Sequence, residues 1–170
     1  MPVTTRKGDA GTTDMFDGRR VSKASLDIEL MGALDETSAF LGFAKTQVAA
    51  GDLEFRDELH SMQKDLYSLM GAFCSPDSLQ DTVSRQLPKL DTRTAALQTL
   101  ADRLAGFIVP GESPLEGAMH LARVVCRRGE RVAVRKAEED PRYQPLATYL
   151  NRLSDVCFLL AVRSRGQAQG

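Results

Sequence analysis

Residues 26–49 read LDIELMGALDETSAFLGFAKTQVA, and this stretch decides the fold class. Its apolar side chains follow helical spacing, but they cover almost the whole circumference of the predicted helix: Ile28, Leu30, Met31, Ala33, Leu34, Phe40, Leu41, Phe43 and Ala44. A helix that is apolar on every side has to be buried on every side. The pattern therefore predicts a central helix, enclosed by further helices of the same chain and by another subunit.

The segments after this helix supply two more. A second helix is predicted over about 53–74, with an apolar stripe at Phe55, Leu59, Met62, Leu66, Leu69 and Phe73. Ser75 and Pro76 are expected to end it, and a polar connection is expected to run to Pro88. A weaker third helix should follow, with its apolar side at Leu97, Leu100 and Leu104.

The last two helices have clearer signals. Ser113-Pro114-Leu115-Glu116 has the form of a capping box with proline at the first helical position, which predicts a fourth helix that runs to about Glu139. Asp140-Pro141 then turns the chain into a fifth helix over about 145–164. Its apolar stripe is formed by Leu146, Leu150, Leu153, Cys157 and Leu160.

No strand-like alternation is present, so we predict an all-α protein. Its fold class is an antiparallel five-helix bundle of the ferritin-like up-down type. We expect one domain over residues 1–170, with a loop over 1–24, the bundle over 25–165 and a frayed tail over 166–170.

Composition excludes several classes of function. The net charge of −1 argues against a general nucleic-acid or membrane-surface role, because both need a basic excess. No apolar stretch of about 20 residues could span a membrane, and no signal-peptide pattern is present, so we expect a cytoplasmic protein. Cys74, Cys126 and Cys157 form no C-x-x-C pair and have apolar neighbours, which favours buried, reduced thiols.

The first candidate site is the N-terminal segment Thr5-Arg6-Lys7-Gly8-Asp9-Ala10-Gly11-Thr12-Thr13. Glycines let backbone N–H groups face a phosphate, and hydroxyls and cations complete such a cradle. The segment is not a P-loop, because the G-x-x-x-x-G-K-[ST] spacing is missing. A flexible N-terminal tail explains it equally well.

The second candidate lies on the fourth helix, where Arg123, Arg127 and Glu130 share one face. A solvated charged face is the more common explanation of such a pattern. Arg128 argues against it, because this residue falls in the apolar stripe of the same helix. A buried guanidinium there would need a carboxylate or phosphate partner.

The third candidate lies on the fifth helix, where Asn151 and Asp155 are i,i+4 neighbours with Ser154 beside them; a solvated polar strip is an equally good explanation. Asp35 falls inside the apolar first helix, so we expect it to be buried and paired with Arg123. His60 and His120 lack the Glu-x-x-His spacing of di-iron bundles, and we expect ordinary histidines there.

Together these segments resemble the PduO-type ATP:cob(I)alamin adenosyltransferase family, over nearly the whole chain. The shared motifs are Thr-Arg-x-Gly-Asp-x-Gly at 5–11, Lys23 after Arg20-Val21-Ser22, Gly32-Ala33-Leu34-Asp35-Glu36, Phe107 before Pro110-Gly111, Arg123 to Arg131, and Tyr149-Leu150-Asn151-Arg152-Leu153-Ser154-Asp155. Each motif is weak alone, but six in the same order are specific.

The resemblance implies a homotrimer with active sites between subunits. It implies ATP binding, with Mg²⁺ held largely through the nucleotide and by Glu130, at Thr5, Arg6, Lys7, Gly8, Thr13, Asp14, Lys23, Arg127, Arg128, Glu130, Arg131 and Asn151. Cobalamin binding is implied at Gly32, Phe107 and Asp155. The catalytic roles fall to Phe107 beneath the corrin ring, to Arg127, and to Asp35 and Arg123 paired across the subunit interface.

The resemblance also implies the reaction. Cob(II)alamin loses its lower axial ligand, is reduced to Co(I), and attacks C5′ of ATP, so that triphosphate leaves. Such a displacement needs positioning and cationic stabilisation rather than a side-chain nucleophile. Transient partners would be a corrinoid reductase and a B12-dependent mutase or dehydratase.

Three departures from the family pattern are present: Gly129 replaces the usual alanine, Glu112 replaces a second glycine, and Thr37 replaces a larger side chain. They affect the expected efficiency and corrinoid selectivity more than the reaction. The main alternative is a carrier that delivers cobalamin without turnover, although a carrier would not need a triphosphate clamp. A purely structural bundle would not explain arginines and acids inside apolar helices.

Overall fold

The computed structural model describes residues 4, 6–102, 104 and 106–167, and it is a bundle of five helices. They are α1 (Leu26–Gln47), α2 (Leu53–Ala72), α3 (Pro76–Ala101), α4 (Pro114–Glu139) and α5 (Gln144–Gln167), with a single 3₁₀ turn at Pro141–Tyr143 before α5. The predicted all-helical bundle is thereby confirmed. Thr5 and residues 168–170 of the expected tail lie outside the described residues.

The core forms where the predicted stripes face one another. Every residue of the α2 stripe and of the α5 stripe is fully buried. α4 packs most extensively, against α5 on one side and α1 on the other. Its start follows the capping prediction, because the Ser113 hydroxyl accepts a hydrogen bond from the Glu116 N–H at 3.1 Å. α4 is therefore the element on which both flanking surfaces are built.

The third helix begins much earlier than predicted. The Ser75 hydroxyl caps α3 by accepting from the Ser78 N–H at 3.3 Å, and Pro76 occupies the first turn. The expected polar connection to Pro88 is thus helical, and Pro88 lies inside α3 at the loss of one backbone hydrogen bond. Ser75-Pro76 starts a helix here as well as ending one.

The N-terminal region contains a β-hairpin that the sequence did not predict. β1 (Thr12–Asp14) pairs antiparallel with β2 (Arg20–Ser22), with Thr13 opposite Val21. Gly18 adopts φ 83° in the turn, which favours glycine. Strands of three residues are too short to show an alternating pattern.

α5 continues to Gln167, two residues past the expected end of the bundle at 165. None of the described helices is both long and apolar enough to cross a membrane.

Candidate functional site

A groove of about 490 Å³ runs between α1 and α4. Lys23 lies at the groove, and Gly32, Glu36 and Arg128 line it. The Arg128 guanidinium forms an ion pair with the Glu36 carboxylate of α1. We call this surface the α1–α4 groove.

A second groove, of about 500 Å³, lies between α4 and α5 and is bordered by Thr94 and Gln98 of α3. Three arginines line it, Arg123, Arg127 and Arg152. Arg152 is partly neutralised, because its guanidinium lies 3.0 Å from Asp91 and 3.6 Å from Asp155. This α4–α5 groove keeps a cationic excess that suits a polyanion.

The two grooves share no lining residue. Arg127 opens on the α4–α5 groove and Arg128 on the α1–α4 groove, because successive residues of a helix with 3.6 residues per turn point in different directions. Within one chain, the predicted nucleotide residues are therefore divided between two surfaces.

The N-terminal hairpin brings most of the predicted cradle together. Lys7, Gly8, Thr12, Thr13, Asp14 and Arg20 line a recess of about 330 Å³. Arg20 joins two sides of this recess, because its guanidinium lies 2.8 Å from the Asp14 carboxylate and donates to the Lys7 carbonyl at 2.5 Å. The exposed Arg6, at φ 59°, precedes this recess.

Gly8 and Lys23 are in direct contact. A Cβ at Gly8 would lie 2.8 Å from the Lys23 Nζ, so the missing side chain leaves room for the amino group. The Lys23 N–H also donates to the Gly11 carbonyl at 2.9 Å. The predicted cradle and the predicted lysine thus meet at one point, beside the α1–α4 groove.

Asn151 and Glu130, which were predicted on different helices, are hydrogen-bonded. The Asn151 amide donates to the Glu130 carboxylate at 3.0 Å, and Arg131 donates to the Arg127 carbonyl at 3.1 Å. Among the described residues, no three His, Cys, Asp or Glu side chains form a group that could hold a metal ion. A single carboxylate such as that of Glu130 is enough for a metal ion that takes its other ligands from a phosphate chain.

Two side chains that were expected to be buried, Arg128 and Asp35, are exposed in the single chain. Arg128 has its carboxylate partner, but the side chains of Arg128 and Glu36 are 49% and 41% exposed. Asp35 is exposed rather than buried, and within the described part of the chain no hydrogen bond or ion pair reaches its carboxylate. Within the single chain, Arg123 donates to His120 Nδ1 at 3.1 Å. This side of α1 and α4 faces outward in a single chain, so the pairing of Asp35 with Arg123 across a subunit interface stays a prediction.

Phe107 lies on the connection between α3 and α4, and its side chain is fully exposed. An apolar ring in that position is free to contact a ligand.

The three departures from the family pattern have physical counterparts in the structure. Thr37 is buried and its hydroxyl donates to the Ala33 carbonyl at 2.7 Å, so it satisfies its own polar group within α1. Gly129 lies at the close approach of α4 to α1. Glu112 forms an ion pair with Arg165, which offsets the added negative charge.

Sequence reasoning missed two groups of residues. Arg152 lines the α4–α5 groove, and its i,i+3 spacing to Asp155 was a visible signal. The sequence predicts Glu116 as half of a capping box, but in the structure its carboxylate accepts hydrogen bonds from the N–H groups of Gly111 and Glu112. No local pattern indicates its contact with Arg165, which lies 49 residues later.

Comparison with known proteins gives one consistent family. The family model for cobalamin adenosyltransferase matches residues 3–164. A cobalamin adenosyltransferase from Cupriavidus metallidurans is 38% identical over 94% of this chain and 85% of its own length. A corrinoid adenosyltransferase from Mycobacterium leprae is 36% identical over 94% of this chain and 88% of its own length.

The fold is also that of solved structures. A variant PduO-type ATP:corrinoid adenosyltransferase from Lactobacillus reuteri, complexed with cobalamin and ATP, matches with a TM-score of 0.87. The match covers 99% of this chain and 96% of that chain at 23% identity, which establishes the shared fold. On its sequence, its helical bundle and these matches, the chain belongs to the cobalamin adenosyltransferase family.

Proposed function

We propose that this chain is an ATP:cob(I)alamin adenosyltransferase. It transfers the 5′-deoxyadenosyl group of ATP to Co(I) of reduced cobalamin, which forms adenosylcobalamin and releases triphosphate. The observation that carries the proposal is the α4–α5 groove, where Arg123, Arg127 and Arg152 converge in a chain of this family. The complex of the Lactobacillus reuteri enzyme with cobalamin and ATP supports the same pair of substrates.

The proposed chemistry needs little from any single side chain. In-line attack on C5′ requires that cobalt and ATP be held in the correct geometry, and positioning of this kind can lower a barrier by about 7–11 kcal/mol. Lys23 and Arg127 would stabilise the charge that develops on the leaving triphosphate. Mg²⁺, when bound with ATP, would neutralise phosphate charge, with Glu130 as its protein contact.

Phe107 is proposed to lie beneath the corrin ring, where its exposed side chain would exclude the lower axial ligand of cobalt. Removal of that ligand makes reduction to Co(I) more favourable. Gly32 and Asp155 are proposed as further cobalamin contacts.

We also propose a homotrimer, with each active site between two subunits. An apolar surface on α1 and α4 supports it: Phe43, Leu121 and Val124 are 48%, 44% and 46% exposed in the single chain. The exposed Asp35 lies on this side of α1, where Arg123 of a second copy could pair with it. Assembly would join the α1–α4 groove of one copy to the α4–α5 groove of the next.

The direct test is anaerobic. Purified protein, Mg-ATP and chemically reduced cob(I)alamin are mixed, and visible absorbance is followed. Conversion to adenosylcobalamin with one triphosphate per product supports the enzyme. Tight binding of cobalamin without conversion supports the carrier, and neither conversion nor binding contradicts both.

Assembly is tested separately by light scattering after size exclusion. We expect a trimer for the native chain and a weaker trimer for Asp35→Asn. Asp57→Asn is the matched control, because Asp57 is an exposed aspartate on α2. An Asp35→Asn protein that stays trimeric and fully active would exclude the pairing of Asp35 with Arg123 of a second copy.

We further expect a cytoplasmic location, and transient contacts with a reductase and with a B12-dependent mutase or dehydratase.

A further inference from the structure

Glu116, in the first turn of α4, holds a loop and two helices together. Its side chain is completely buried. One carboxylate oxygen, Oε2, accepts from the N–H of Gly111 at 2.6 Å and of Glu112 at 3.2 Å. The other, Oε1, lies 3.3 Å from both the Arg165 guanidinium and His120 Nε2. A buried carboxylate is tolerated only with such a set of partners.

On one side, Glu116 fixes the loop that carries Phe107. Gly111 adopts φ 113°, a conformation that residues with a side chain rarely adopt, so the backbone turns sharply at this point. Arg165 braces the same corner, because it pairs with Glu112 as well as with Glu116. Phe107 lies four residues before Gly111 and is fully exposed, so the ring itself has no packing to place it.

On the other side, Glu116 reaches the α4–α5 groove. His120 Nδ1 accepts a hydrogen bond from Arg123 Nε at 3.1 Å, and Arg123 lines the groove. The His120 ring also packs beside Phe158, with ring centroids 6.2 Å apart, and Phe158 lines the same groove. A series of contacts therefore runs from Gly111 through Glu116 and His120 to Arg123. Its Glu116–His120 step is a 3.3 Å approach that does not meet hydrogen-bond geometry, whereas the other steps are hydrogen bonds.

We propose that Glu116 is a positioning residue for the corrinoid side of the site. It sets the loop that bears Phe107 through the two backbone N–H groups, and it sets the Arg123 guanidinium through His120. This inference depends on the proposed function for its kinetic consequence, but the geometry it claims for the loop can be measured without turnover.

The kinetic test compares Glu116→Ala and Glu116→Gln with Glu58→Ala. Glu58 is a matched control, because it is a partly buried carboxylate that lies 3.5 Å from Arg93 and 3.6 Å from Arg163. The KM for cob(I)alamin and the KM for ATP are measured separately, together with the absorbance spectrum of cob(II)alamin bound in the presence of ATP.

We expect Glu116→Ala to raise the KM for cobalamin about tenfold, the effect of about one lost buried hydrogen bond. The KM for ATP should stay within about twofold, and the spectral change of bound cob(II)alamin should weaken. Glu116→Gln should have a smaller rise in the KM for cobalamin and a smaller loss of the spectral change, because its amide oxygen can still accept hydrogen bonds from the loop. Glu58→Ala should lower stability and leave both KM values unchanged.

Two results would overturn the inference. One is an equal change in the KM for cobalamin and the KM for ATP in Glu116→Ala, and the other is a rise in the cobalamin KM alone in Glu58→Ala. If Glu116→Ala does not fold, Arg165→Gln replaces it, with an expected rise of about threefold in the cobalamin KM alone. An unchanged value there also overturns the inference.

Hydrogen exchange separates this inference from the proposed function. We expect the amides of Gly111 and Glu112 to exchange about tenfold faster in Glu116→Ala than in the native chain. If the native chain makes no adenosylcobalamin but this difference is found, the proposed function fails and the loop geometry holds. Equal exchange in an active enzyme would contradict the positioning role instead.

Discussion

Gly129 of α4 lies so close to Ala33 of α1 that a Cβ on Gly129 would be 3.2 Å from the Ala33 methyl carbon. The same Cβ would be 3.7 Å from Cδ1 of Leu150, so three helices meet at this point. Glycine inside a helix costs about 0.5–1 kcal/mol relative to alanine. Here it allows α1 and α4 to approach each other more closely than an alanine would.

The first prediction concerns this contact. Gly71→Ala, in α2 with no atom within 4 Å of the new Cβ, should raise the free energy of unfolding by about 0.5–1 kcal/mol. Gly129→Ala should gain less than Gly71→Ala because of crowding, and Gly129→Leu should lose about 1–3 kcal/mol. Urea denaturation measures all three. A Gly129→Leu protein as stable as the native chain would show that α1 and α4 can move apart freely.

The second prediction concerns the triphosphate. Arg127→Ala should raise the KM for ATP by about tenfold to a hundredfold, since one charged hydrogen bond contributes about 1.5–3 kcal/mol and each 1.4 kcal/mol is about a factor of ten. The KM for cobalamin should change little. Arg142→Ala is the control, because Arg142 is an exposed arginine paired with Asp140 away from both grooves. Steady-state kinetics with each substrate varied will decide, and unchanged ATP kinetics would exclude Arg127 from the clamp.

The third prediction concerns the lower face of the corrin ring. Phe107→Ala should slow the cob(II)alamin-dependent reaction about tenfold or more, and slow the reaction with preformed cob(I)alamin much less, because only the former requires loss of the lower ligand. Val109→Ala is the control, because it shortens another exposed apolar side chain of the same loop. Equal slowing of both reactions would leave Phe107 with no role in axial-ligand removal.

The fourth prediction concerns pH. Burial lowers the pKa of His120 below its usual 6.5, Arg123 and Arg165 lower it further, and Glu116 opposes them. As the pH falls, His120 of the unfolded chain therefore binds a proton near pH 6.5, whereas His120 of the folded chain binds it only at a lower pH. The stability that this histidine contributes is present above that pH and is lost as the pH falls through it towards the folded pKa.

The free energy of unfolding should accordingly fall more steeply between pH 7 and pH 5 in the native chain than in His120→Gln. The difference in slope is at most about 1.4 kcal/mol per pH unit. Denaturation at a series of pH values measures the two slopes, and parallel curves for the native chain and His120→Gln would contradict the assignment.

The fifth prediction concerns the thiols. Burial raises the pKa of Cys126 well above its usual value and that of Cys157 to about 12, so neither forms a reactive thiolate near neutral pH. Cys74 is partly exposed. A disulfide reagent at pH 8 should titrate one thiol in the native protein and all three in guanidinium. Cys74→Ser should abolish the native reaction, and a second fast thiol would contradict the prediction.

Strong local signals predicted most of this fold. The α2 and α5 stripes and the Ser113 cap are read directly from spacing, and the family motifs correctly indicated an adenosyltransferase. α3 was mislocated because Ser75-Pro76 is consistent with either end of a helix. Periodicity cannot distinguish the two when the segment is polar.

The site was harder to predict, for a different physical reason. Helical spacing gives the direction of a side chain around its own axis, but not which neighbour it meets. Arg128 was correctly assigned a carboxylate partner, yet its exposure was not foreseen. The contact of Glu116 with Arg165 joins opposite ends of two helices, and only the packing of α4 on α5 creates it.

In the proposed trimer, the division of Arg127 and Arg128 between two grooves has a genetic consequence. A chain damaged in the α1–α4 groove keeps an intact α4–α5 groove, and the reverse also holds. In a cell that carries one allele of each kind, mixed trimers would contain sites built from two undamaged surfaces. Two inactive alleles should therefore complement each other, whereas two alleles damaged in the same groove should not.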